Sequence, residues 1–68
     1  MERKYLLEII KDFIEKVEVD IAHNTIATYK GYCLIDRLES LMIFIDDKPL
    51  IHTALEFKGI KETYTIMG

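Results

Sequence analysis

Residues 29–45 read YKGYCLIDRLESLMIFI, and the period assigned to them decides the fold. At period two they supply the end of one strand and the whole of another. At period 3.6 they form one helix, because Ala27, Gly31, Leu34, Leu38, Leu41 and Ile45 recur at 4-3-4-3-4 spacing. Three features favour strands. A glycine in a helix interior costs about 1 kcal/mol. Thr25, Ile26, Thr28, Tyr29 and Tyr32 are mediocre helix formers that suit a pleated, half-buried surface. The segments on either side also alternate. The expectation is therefore a strand over about 25–35, bent or bulged at Gly31, a turn over Asp36–Ser40, and a strand over 41–45. The unbroken apolar run LMIFI in that last strand fits burial on both faces.

On the N-terminal side, residues 2–16 predict an amphipathic helix. Leu6, Ile10, Phe13 and Val17 are spaced four, three and four apart, and Leu7, Ile9 and Ile14 widen the stripe. Lys4–Glu8, Lys11–Glu15 and Asp12–Lys16 stand as i,i+4 charge pairs on the other face. From Val17 the pattern V-E-V-D-I alternates, which predicts a strand over 17–21. Ala22-His23-Asn24 then reads as a turn, since asparagine tolerates left-handed backbone.

On the C-terminal side, Asp46-Asp47-Lys48-Pro49 is a turn cluster. Residues 50–57, LIHTALEF, alternate, and Ile51, Thr53, Leu55 and Phe57 share a face. Lys58-Gly59 reads as a second turn before a strand over 60–66. The sum is an α+β, mainly β chain: one helix and five antiparallel strands, closed into a small SH3-like barrel that removes exposed edges.

Bulk properties narrow the function. Sixty-eight residues make a single domain over 1–68, which buries only about 60% of its unfolded surface. Half of the residues are hydrophobic, so apolar surface is left over for a partner, and a homo-oligomer is expected. A net charge of −3 argues against broad binding to duplex nucleic acid. The lone cysteine, Cys33, cannot form an internal disulfide, and its apolar neighbours suggest a buried thiol in a reducing cytoplasm. No apolar run approaches the roughly 18 residues of a membrane span, and the charged N-terminal stretch does not read as a signal peptide.

The order of motifs resembles the Sm-like family of Sm, Lsm and Hfq proteins. V17-E-V-D-I21 is similar to the family's first strand, and Y29-K-G31 to the bend in its second. D36-R-L-E-S-L-M-I43 is similar to the first Sm motif; F57-K-G59 followed by T63-Y-T-I66 is similar to the second. Leu38 stands where a base-stacking aromatic often sits, Ser40 where an asparagine is expected, and Lys58 replaces arginine. The resemblance implies a ring of six or seven subunits that binds single-stranded RNA. Asp36, Leu38, Ser40, Lys58 and Gly59 would then line its inner rim.

Other readings of the residues carry less. Tyr5, Tyr29, Tyr32 and Tyr64, with Lys30, are a second candidate stacking surface, against ordinary packing roles. L55-E-F-K-G-I-K-E-T-Y-T resembles the second half of a helix-turn-helix, although an acidic one. His23, His52 and Cys33 do not have the spacing of a metal site. There is no glycine-rich phosphate loop, and Asp46-Asp47 reads as turn chemistry, so neither catalysis nor a cofactor is expected. The rival to RNA binding is a small acidic regulator, an inhibitor or adaptor acting by protein contact. Its basis is the negative charge, the high apolar fraction and the departures from the Sm-like pattern at Leu38 and Ser40.

Overall fold

A computed structural model describes residues 2–67, with side chains to residue 66; Met1 and Gly68, the ends of the domain expected over 1–68, lie outside the described residues. The chain forms three helices, α1 (Arg3–Ala22), α2 (Thr28–Ile43) and α3 (Leu50–Met67). Arg3 of α1 bonds Asp46 beyond the end of α2, at 2.9 Å. Phe13 and Lys16 of α1 meet Tyr64 of α3. These contacts fix an up-down-up bundle with principal extents of 34 × 18 × 17 Å.

The expected barrel is overturned: there is no strand among the described residues. Residues 17–21 are the last turns of α1, 25–35 and 41–45 fall in or beside α2, and 50–57 and 60–66 are one continuous α3. The reason is burial. Helical spacing sends Leu34, Ile35, Leu38 and Leu41 into the core together with Leu6, Ile10, Ile14 and Val17 of α1. Each such side chain contributes about 1.5–3 kcal/mol, which outweighs propensity differences of a few tenths per residue. The alternation was coincidental. Val17 is buried and Val19 exposed; in Leu41–Ile45, supposedly buried on both faces, Ile43 and Phe44 face solvent.

α3 shows the same effect. Thr53, Phe57, Ile60 and Tyr64 recur at 4-3-4 spacing and face the core, while Ile51 and Leu55 are exposed. The helix runs through Lys58-Gly59, where a turn was expected. Its two exposed threonines are accommodated by back-bonds: Thr63 Oγ1 donates to the Gly59 carbonyl and Thr65 Oγ1 to the Lys61 carbonyl, each at 3.0 Å. Phe13 stacks edge-on against Phe57 (5.7 Å between centroids) and Tyr64 (5.3 Å), joining α1 to α3.

The turn expected at Ala22–Asn24 is present. Asn24 adopts φ 59°, Asn24 N–H donates to the Ile21 carbonyl, and Thr25 N–H donates to the Asp20 carbonyl. This is a Schellman end, with a left-handed residue just past the helix. Pro49 precedes α3, where its missing N–H costs no helical bond, and its carbonyl accepts from His52. Of the surface ion pairs within helices, Lys16–Asp20 at 4.0 Å forms, whereas those expected at Lys4–Glu8, Lys11–Glu15 and Asp12–Lys16 do not. Among the described residues, no helix is long and apolar enough to cross a membrane.

Candidate functional site: a groove between α2 and α3

α2 and its C-cap residue present a stripe at 4-4-3-4 spacing, Tyr29, Cys33, Arg37, Ser40 and Phe44. All five are exposed. They form one wall of a groove whose other wall is α3. At one end Tyr29, Lys30, Cys33, Leu34 and Arg37 face Thr63 across an almost wholly apolar cleft. At the other end Arg37, Ser40, Leu41 and Phe44 face Lys48, Glu56, Gly59 and Ile60. Arg37 lines both clefts, which follow one another along the α2–α3 seam. Leu34, Leu41 and Ile60 form the apolar floor. Gly59 leaves its wall flat, because a Cβ there would meet nothing within 4 Å.

Charge distinguishes this groove from its neighbour. Lys30, Arg37 and Lys48 line the α2–α3 side, where the single carboxylate, Glu56, already accepts from Lys48 Nζ at 3.2 Å. Arg37 has no ion-pair partner among the described residues. On the other flank of α2, the cleft against α1 is lined by Glu18, Asp36 and Glu39 with Ile21, Ala22, Tyr32 and Ile35. One helix therefore separates a basic groove from an acidic one, although the chain as a whole carries −3.

The residues expected at an RNA-binding rim do not converge. Leu38 is a core residue with no exposed surface. Asp36 lies in the acidic cleft. Ser40 and Gly59 do share the α2–α3 groove. Lys58 is exposed on α3 and does not line it. The hexamer or heptamer was implied by the resemblance to a strand-built family, and the described residues contain no strand. The tyrosines also disperse: Tyr29 borders the basic groove, Tyr32 the acidic one, and Tyr64 packs on Phe13 beneath Lys16. Cys33, expected to be buried, is exposed. His23 and His52 sit at opposite ends of the bundle. No group of three or more His, Cys, Asp or Glu side chains suited to a metal occurs among the described residues.

Sequence reasoning missed Tyr29, Cys33, Arg37 and Phe44 as a set. The signal was available: their spacing parallels the Ala27–Ile45 helical repeat, displaced to its solvent side. No family model, curated protein or solved structure matches the chain.

Proposed function

We propose that the protein is a small regulator or adaptor that works by protein contact, receiving a helix of its partner in the α2–α3 groove. The observation that carries this reading is the groove itself. Its apolar floor is flanked by large exposed side chains at both ends, Tyr29 and Phe44. A groove between two helices is the shape that an amphipathic helix fills, in the manner of a further bundle member. Aromatic and arginine side chains are the ones that most often dominate such interfaces. The flat wall at Gly59 lets a visiting backbone come close.

Cys33 gives a direct test, since it is the only cysteine in the chain and it lines the groove. A photo-crosslinker attached to that thiol should join the protein to one partner polypeptide, and nuclease treatment should not change the yield. The same label on Gly59→Gln should lose the crosslink while the fold is kept, because the new side chain projects into open space and glutamine is the better helix former. Crosslinks that disappear with nuclease, or that persist in Gly59→Gln, would exclude this function.

A further inference from the structure

We infer that the occupant of the groove is an amphipathic helix with an acidic flank, one of whose carboxylates pairs with Arg37. This rests on the helix-receiving reading above and names the chemistry of the partner.

Three observations converge on it. The first is the unmatched charge of the groove. Arg37 stands midway along it without an ion-pair partner among the described residues, while Lys48 is held by Glu56. An arginine at the edge of apolar surface offers a planar fork of donors to a carboxylate, a charge-assisted and directional contact. The second is the contrast across α2. A helix with an acidic flank is attracted to the α2–α3 groove and repelled from the α1–α2 cleft, where Glu18, Asp36 and Glu39 stand. A basic helix would sort the other way. The arrangement selects by attraction on one side and by like-charge exclusion on the other. The third is length. From Tyr29 to the cap residue Phe44 the α2 wall spans about 22 Å at 1.5 Å per residue, which is about four turns of a straight helix. The middle turns of such a helix lie over Arg37 and the flat surface at Gly59.

The probe is a pair of labelled helical peptides of about four turns. Both carry leucines at i, i+3, i+4 and i+7, and the flanking positions are all glutamate in one and all lysine in the other. Fluorescence anisotropy with the whole chain should show the acidic peptide binding at least about tenfold more tightly, a difference of about 1.4 kcal/mol. Added salt should narrow that margin. The acidic peptide should also protect Cys33 from alkylation. Arg37→Glu, an exposed substitution whose fold is checked by circular dichroism, should reverse the preference.

Equal affinities, an unchanged preference in Arg37→Glu, or a failure of both peptides to protect Cys33 would overturn the inference. Protection by the lysine peptide alone would overturn it too, yet leave the helix-receiving function standing. Displacement of the acidic peptide by oligo-uridine, or a peptide-free dimer in sedimentation with Cys33 already protected, would replace the proposed partner by RNA or by a second copy.

Discussion

A Cβ on Gly31 would run into the side chain of Ile21, so at this glycine α2 packs tightly against α1. The residue that reads as a strand bend is a helix-packing contact, and its helix-propensity cost is offset by the close approach that it allows. Replacing it tests this. Gly31→Val should destabilise the protein by about 1–3 kcal/mol through overpacking, seen as a lower urea midpoint with an unchanged slope. Ile21→Ala in that background should recover part of the loss, since the two sites share one space; simple additivity would count against the contact. Gly59, the other helical glycine, has open space around it. Gly59→Ala should raise stability by roughly 0.5–1 kcal/mol. The sequence displays two glycines, each directly after a lysine, and cannot separate these roles, because the difference lies in what the neighbouring helix places opposite each.

At the scale of elements, α3 is the least anchored of the three helices. Its buried contribution is Thr53, Phe57 and Ile60, whereas α1 and α2 each bury a longer stripe. Ile51, Leu55 and Ile66 remain exposed on it. Hydrogen exchange should therefore find the amides of α3 opening first, with those of α1 and α2 protected to higher free energy. Phe57, which meets Phe13 edge-on, is the main anchor. Phe57→Ala should cost about 3–5 kcal/mol and release α3 before the α1–α2 pair melts, read as a loss of exchange protection confined to residues 50–67. Equal weakening of all three helices would show that they behave as one unit. The strand pattern read into 50–57 failed here for a definite reason. Ile51, Thr53, Leu55 and Phe57 alternate in hydrophobicity, but only Thr53 and Phe57 reach the core. The residues that complete their face, Ile60 and Tyr64, lie beyond the glycine that seemed to end the segment.

For the whole molecule, circular dichroism should give the double-minimum spectrum of a mostly helical chain, and a strand-dominated spectrum would reject the fold. The exposed Arg3–Asp46 pair links the start of α1 to the α2–α3 connection. As a surface pair it should contribute little, so Asp46→Ala should change stability by less than about 1 kcal/mol. The sequence by itself determined several features: the amphipathic character of the N-terminal helix, the left-handed turn at Asn24, the turn ahead of Leu50, and an apolar content too high for one small core to absorb. These depend on local chemistry, on spacing within a few turns and on composition. It also contained the 4-3-4-3-4 repeat of Ala27–Ile45, which spans α2 and its two ends. Only the tertiary structure decided between that repeat and the competing alternation. Period-two and period-3.6 patterns can coexist in an apolar-rich segment, and the one that persists is the one whose side chains find partners on another element. The groove follows the same rule. Arg37 and Asp36 are adjacent in the chain, yet packing α2 between α1 and α3 assigns them to clefts of opposite charge.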